Sequence, residues 1–196
     1  RSILFANLIS GGIISDGNAV AFDQKFSNKV DGDDALKMNN SGENFAINTD
    51  GKILSVEAHE EVKENDIIFY HLNNLSKQEY QLSFIPENMN SKLEAFLVDQ
   101  YLKNEIPVSL ADTTFVNFTV TNDEKSSMPD RFYLVFRATT VRAVFSFSSM
   151  TVHPQDENVK IEWKVENENG IKNYQVEYSS DGVNFSNIGI VNSQNK

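Results

Sequence analysis

Two neighbouring strand patterns near the end of the chain limit its fold more than any other feature. Residues 161–165 (Ile-Glu-Trp-Lys-Val) and 174–178 (Tyr-Gln-Val-Glu-Tyr) alternate apolar and polar side chains, and a turn at Asp181-Gly182 follows the second run. A period of two gives a strand one apolar face and one polar face. The pattern therefore predicts a half-buried antiparallel sheet with Trp163 in its core.

Short strand patterns of the same kind fill the rest of the chain, separated by Gly, Pro, Asn and Asp. The clearest hairpin has Asp50-Gly51 at its tip. No long helical period is present, and we expect at most a single helical turn near residues 33–36 or 88–93. These observations predict an all-β fold. The expected strands cover residues 3–9, 19–22, 45–48, 53–57, 67–72, 79–85, 94–99, 115–121 and 132–137.

The strand spacing predicts two modules. Residues 1–143 have enough strands for a jelly-roll-like β-sandwich of two sheets. Residues 144–196 start with an apolar, Ser-rich segment and continue with the strand pair around Trp163. This second part is similar to the beginning of an immunoglobulin or fibronectin type III-like sandwich. We expect it to be the first part of such a module, because a complete domain of this kind needs about 100 residues.

Charge and composition exclude several partners. The formal net charge is −11, so we expect neither nucleic acid nor an anionic membrane surface to bind. No apolar run approaches the length of a membrane helix, and we expect no direct membrane insertion. The chain has no Cys, which excludes disulfides, thiol catalysis and Cys-ligated zinc.

One acidic loop is a candidate calcium site. Asp31, Asp33 and Asp34 lie within four residues, and calcium prefers several carboxylate and carbonyl oxygens. The spacing does not match an EF-hand loop. The alternative is a solvated turn whose Asp side chains cap a short helical turn that begins near Asp33.

Tyrosines are the candidate ligand-binding residues, because Tyr combines a flat apolar ring with a polar hydroxyl. Tyr70 and Tyr101 are the main candidates for a sugar-binding platform, with Tyr80 and Tyr133 beside them. Tyr101 follows a predicted strand, where a loop could expose it. The alternative for each is packing inside the sandwich.

Catalytic motifs are missing from the sequence. It contains no Gly-x-Ser-x-Gly elbow, no phosphate-binding Gly-x-x-x-x-Gly-Lys loop and no metal-ligating His pair. With 28 acidic residues, paired carboxylates of the glycosidase kind arise easily by chance. We therefore predict a protein that is not an enzyme.

A resemblance to a known family follows from the order of several sequence blocks. The chain resembles a region of large secreted surface proteins of the Bacteroidetes, and the resemblance covers most of its length. In those proteins a segment similar to residues 159–185 follows the β-sandwich region. The blocks that carry the resemblance in the first module are residues 16–22, 31–36, 39–47, 51–57, 93–102 and 130–136.

The resemblance implies export by the type IX secretion system and a place on the outer cell surface. It implies a non-catalytic role in adhesion, display or spacing, with secretion-machinery proteins, cell-surface proteins or glycans as partners. O-glycosylation in that phylum is associated with Asp followed by Thr or Ser, which makes Thr113, after Asp112, a candidate. No cofactor is implied. The alternative function is a carbohydrate-binding module, with calcium as its assisting ion.

Overall fold

The computed structural model describes residues 1–89, 92–139, 146–166, 168 and 171–194. It confirms the all-β class: the described residues form 15 β-strands and one 3₁₀ helix, Glu124–Ser127. The chain divides into two compact units, Arg1–Thr139 and Thr140–Lys196. The expected module boundary after residue 143 lies within residues 140–145, outside the described residues.

The first unit contains a strand at each of the nine predicted positions, together with two short strands that the sequence did not predict. All of them belong to one 11-stranded sheet. The strands are β1 (Ser2–Ser10), β2 (Ile13–Phe22), β3 (Ala35–Leu36), β4 (Asn44–Thr49), β5 (Lys52–His59), β6 (Ile67–Asn73), β7 (Glu79–Glu87), β8 (Leu93–Asp99), β9 (Asn104–Val108), β10 (Thr114–Thr119) and β11 (Phe132–Ala138).

The strand order folds the sheet into two layers. It runs β10-β7-β1-β2-β5-β4-β6-β11-β8-β9, with β3 beside β5. β6 joins the layers, because its residues 70–73 pair with β4 while residues 67–69 pair with β11. All neighbours are antiparallel except β2 and β5, which run parallel. A parallel pair cannot be closed by a tight hairpin, and here β3 and β4 lie in the connection.

The two unpredicted strands have identifiable causes. Ala35–Leu36 was expected in a helical turn, and this prediction is wrong because both residues pair with β5. Asn104–Val108 was missed because it contains Pro107, which is unfavourable inside a sheet. β9 ends the strand order, and an edge strand tolerates a residue without an N–H donor. The other expected helical turn falls partly on residues 90–91, outside the described residues.

The hairpin between β4 and β5 has the turn that its sequence predicts. Asp50 has φ 51° and Gly51 has φ 78°. Two successive positive φ values belong to a type I′ turn, whose twist matches that of the flanking strands. The pairing of Thr49 with Lys52 closes the hairpin around these residues.

The core between the layers is rich in aromatic side chains. Tyr70 contacts both Phe45 and Phe84, with ring centroids 5.0 and 6.0 Å apart. Burying one such ring stabilises the fold by about 1.5–3 kcal/mol relative to exposing it. Other buried side chains of this core are Leu4, Leu8, Phe22, Ile47, Leu54, Ile68, Leu82, Leu97, Phe132, Leu134 and Phe136.

The second unit consists of two strand pairs. β12 (Ser146–Gln155) pairs with β13 (Asn158–Glu166), and β14 (Asn173–Tyr178) pairs with β15 (Ser186–Asn192). The Tyr174 ring lies 6.1 Å from the rings of both Trp163 and Phe147, and joins the two pairs. Met150 is opposite Trp163 in the register and is 60% exposed, so the apolar face of β12 and β13 extends beyond these contacts.

Candidate functional site

The outer surface of β6, β11, β8 and β9 carries a continuous apolar patch. Because partners in register lie on one side of a sheet, the strand pairing arranges its side chains in two rows. We call the patch formed by Ile67, Phe69, Phe96, Val98, Tyr133 and Val135 the aromatic face. One row contains Phe69, Tyr133, Val98 and Glu105, and the other contains Ile67, Val135, Phe96 and Pro107.

The local sequence explains why this outer surface is apolar. In Ile67-Ile68-Phe69-Tyr70 every residue is apolar or aromatic, so both sides of the strand are apolar. Ile68 and Tyr70 are each 1% exposed, whereas Ile67 is 40% and Phe69 is 50% exposed. Residues 132–136 (Phe-Tyr-Leu-Val-Phe) repeat the pattern on β11. Unbroken apolar runs on neighbouring strands were thus the signal for this surface.

Two rings lie next to each other at the β6 end of the first row. The centroids of Phe69 and Tyr133 are 5.8 Å apart, and the planes are tilted by 48°. Tyr133 is half-buried, and its hydroxyl makes one end of the ring polar. Phe69 was not a sequence candidate, and Tyr133 was a secondary one.

An Arg–Glu pair lies at the edge of the aromatic face. The Arg137 guanidinium donates two hydrogen bonds to Glu105, at 2.7 and 2.6 Å, and its Cζ lies 4.9 Å from the Phe96 centroid. The hydrogen bond from Arg137 lowers the pKa of Glu105 below its ordinary value. On β6, burial lowers the pKa of His71 and favours its neutral form. This part of the edge is therefore polar, and the charges of Arg137 and Glu105 offset each other.

The size of the aromatic face follows from sheet geometry. Four strands at about 4.8 Å spacing span about 14 Å, and two rows on one side of a sheet lie about 7 Å apart. Backbone N–H and C=O groups of β11 and β8, which have a neighbouring strand on each side, are used in the strand pairing. The face can therefore contact a flat apolar ligand through its side chains, with polar contacts at its edge.

The outer surface of the other layer has a different character. Asn7 Nδ2 donates to Ser83 Oγ at 3.1 Å, and Gln81 Nε2 donates to Asn117 Oδ1 at 2.8 Å, which links β1, β7 and β10. Phe115 is 60% exposed on the same side of β10 as Asn117. Here an exposed ring stands beside hydrogen-bonded amides, so Phe115 offers a natural control for the rings of the aromatic face.

Tyr101 lies beside a buried ion pair. Arg131 is 1% exposed, and it donates to Asp99 from Nε, at 3.1 and 3.2 Å, and from Nη2, at 2.7 Å. The Arg131 Cζ is 4.9 Å from the Tyr101 centroid, so the ring covers the guanidinium. Asp99 Oδ1 also accepts the Tyr101 N–H at 2.9 Å. These contacts give Tyr101 a place in the packing, and only part of the ring is exposed.

Tyr70 lies in the core and is not available as a surface ligand-binding residue. Its ring is 1% exposed in the core, and burial raises the pKa of its hydroxyl well above the ordinary value. Glu57, 5% exposed, accepts a hydrogen bond from Thr49 Oγ1 at 2.9 Å, and burial raises its pKa. The Tyr70 hydroxyl and Glu57 Oε2 have no hydrogen-bond partner among the described residues. A ligand on the protein surface would reach neither group.

Two of the three candidate calcium residues, Asp31 and Asp34, accept hydrogen bonds from backbone N–H groups. Asp34 Oδ1 accepts the Ala58 N–H at 2.9 Å, and its Oδ2 accepts the Asp31 N–H at 2.7 Å. Asp31 Oδ1 accepts the Asp33 N–H at 2.9 Å. These contacts hold a turn that leads into the strand Ala35–Leu36, and not the helical turn that the sequence alternative named. Within residues 1–89, 92–139, 146–166, 168 and 171–194, no group of three or more His, Asp or Glu side chains is arranged to hold a metal ion.

Thr113, the candidate for glycosylation, is exposed in the loop between β9 and β10. Its neighbour Thr114 accepts the Ser109 N–H at 2.9 Å, which anchors the loop. The position is accessible to a modifying enzyme, and modification stays a prediction.

Comparison with protein-family models, curated proteins and solved structures finds no match to this chain. In the part of the chain that the structure describes, no helix has the length and apolarity needed to cross a membrane.

Proposed function

We propose that this chain is a non-catalytic module of a large exported bacterial cell-surface protein, cargo of the type IX secretion system, that serves adhesion through the aromatic face. The observation that carries the adhesive role is the exposure of Phe69 and Ile67 within an apolar patch. Large exposed apolar patches are typical of interaction sites on soluble proteins. The export route is supported by the resemblance of the sequence blocks.

The positions of the buried carboxylates favour a non-catalytic role. Asp99 is 1% exposed and bound by Arg131, and Glu57 is 5% exposed and bound by Thr49. A general acid or base must reach the proton that it transfers. Both groups are enclosed in the core and contribute to packing instead.

The adhesive role is tested with beads coated with the full 196-residue chain. Retention on cells of the source bacterium and on mammalian cell layers is measured under flow. We expect Ile67→Ser combined with Phe69→Ser to abolish retention, and Phe115→Ser to leave it unchanged. Equal retention of the parent chain, the double variant and Phe115→Ser would refute the proposal. Turnover of a glycan or peptide that one acidic substitution abolishes would also refute it.

The export route is tested by labelling intact cells with an antibody against this chain. We expect surface labelling in the source organism and its loss when type IX secretion is inactivated. Labelling that persists in the secretion-deficient cells contradicts this part of the proposal. Calcium assistance stays a prediction, and calorimetry with and without a chelator tests it.

A further inference from the structure

We propose that the ligand of the aromatic face is a neutral oligosaccharide whose sugar rings stack on Phe69 and Tyr133. This inference rests on the proposed adhesive function and names its ligand class. The two ring centroids are 5.8 Å apart along one row, a spacing comparable to one hexose residue in an extended chain. Neighbouring sugars can therefore each contact one ring.

The shape of the face favours a ligand that is flat and amphipathic. A pyranose ring presents C–H groups on its faces and hydroxyls around its edge. The aromatic face presents the matching arrangement, with the Phe69 and Tyr133 rings side by side and Glu105 and Arg137 at the edge. Amphipathic aromatic rings are well suited to such a contact.

A peptide strand fits this surface less well. Peptides that add to a sheet bind the unpaired backbone groups of an edge strand. The two rings proposed to contact the sugar, Phe69 and Tyr133, lie on β6 and β11, and β11 is paired on both sides. On β11 only side-chain contacts are available, and they suit a ligand that stacks.

The charges favour a neutral ligand. Arg137 is the cation at the edge of the face, and Glu105 binds it through two hydrogen bonds of 2.7 and 2.6 Å. An anionic sugar would have to compete with this carboxylate. The chain also has a formal net charge of −11, which repels polyanions.

The experiment uses the full chain and two sets of probes. Neutral gluco-, manno-, xylo- and galacto-oligosaccharides form one set, and polygalacturonate and hyaluronate form the other. Affinities are measured by calorimetry and by fluorescence of Phe69→Trp in a Trp163→Phe background. We expect at least one neutral oligosaccharide to bind and to change the fluorescence of the introduced Trp.

The variants test the position of the site. Phe69→Ala and Tyr133→Ala should each weaken binding about tenfold, because each removes one stacked ring. Phe69→Tyr keeps a ring and should bind within about threefold of the parent chain, and Phe115→Ala should change affinity less than about twofold. Circular dichroism checks that every variant is folded.

Each outcome separates this inference from the proposed function. Binding of a neutral oligosaccharide that both alanine variants weaken supports both. Bead adhesion that depends on Phe69, without binding of any neutral oligosaccharide, overturns the sugar inference and leaves the adhesive role. Binding of acidic polymers only, or sugar binding that Phe69→Ala and Tyr133→Ala leave unchanged, also overturns it.

Discussion

Replacing Asp99 by Asn should test whether the buried ion pair with Arg131 holds one end of the first unit together. The substitution keeps the size of the side chain and removes its charge. Asp99 accepts hydrogen bonds from Arg131 and also from the backbone N–H groups of Tyr101 and Leu102, at 2.9 and 3.1 Å. The change therefore acts on the guanidinium and on the turn between β8 and β9.

The expected loss of stability follows from the burial of Arg131. The guanidinium also donates to the backbone oxygens of Thr119, at 3.0 Å, and Ser126, at 2.6 Å, and water has little access to it. Removing one partner of a buried ion pair costs about 3–5 kcal/mol, because an uncompensated charge stays in the core. At about 3 °C per kcal/mol for a unit of this size, the Tm should fall by roughly 10–15 °C.

A second Arg–carboxylate pair is a matched control. Arg137 and Glu105 join β11 to the same edge of the sheet, but their side chains are 43% and 44% exposed. Glu105→Gln should therefore cost less than about 1 kcal/mol. Urea unfolding of the full chain, followed by far-UV circular dichroism, measures both changes. Trp163 fluorescence reports the second unit separately.

The double variant Asp99→Leu/Arg131→Met completes the test. We expect it to be more stable than Asp99→Leu alone, because the unpaired charge is gone. The coupling between the two sites should exceed about 2 kcal/mol. The reasoning fails if Asp99→Asn costs no more than Glu105→Gln, or if the effects of the two single substitutions simply add.

Three further substitutions test the interior and the close approach of β1 and β2. Glu57→Gln should stabilise the chain at neutral pH and make no difference near pH 4. Burial raises the Glu57 pKa above its ordinary 4.5, so the parent chain loses stability as the pH rises from 4.5 to that raised pKa. Urea unfolding between pH 4 and 8 measures the stability of both chains, and a stability difference that does not change with pH contradicts the prediction. Tyr70→Phe removes a buried hydroxyl without a partner among the described residues, so stability should stay equal or rise by up to about 2 kcal/mol, and a Tm lowered by several degrees would argue for a hidden partner. Gly17→Ala should lower the free energy of unfolding by about 1–3 kcal/mol, since a Cβ would lie 2.6 Å from Asn7 Oδ1. Gly42→Ala is the control and should change the Tm little, because the space around Gly42 is open. Equal effects of the two substitutions would show that Asn7 moves aside.

The strand positions of the first unit could be predicted from local sequence alone. Alternation of apolar and polar residues reports which side of a strand is buried, and turn residues such as Asp50-Gly51 mark where the chain reverses. Both signals depend only on neighbours in the sequence, so they can be read without knowledge of the fold. The pairing of β2 with β5 has no such local signal, because it joins residues nearly forty positions apart.

In the candidate site too, local sequence predicts the strands, and the pairing of distant strands decides which side chains are exposed. Apolar runs such as Ile67-Ile68-Phe69-Tyr70 indicate a strand with two apolar sides, but they do not tell which side faces the core. Register decides this, and it placed Phe69 outside and Tyr70 inside, the reverse of the sequence candidate. Which strands lie next to β6 then determined that Tyr133 completes the surface.

Local pattern therefore establishes that this chain is all-β, where most of its strands lie and that its charge is strongly negative. The environment of individual side chains depends on contacts between distant strands. Leu54 and Glu57 are three residues apart on β5, so strict alternation would place them on opposite sides of the strand, yet both are buried. Burial, and with it the raised pKa of Glu57, arises from packing that no short stretch of sequence contains.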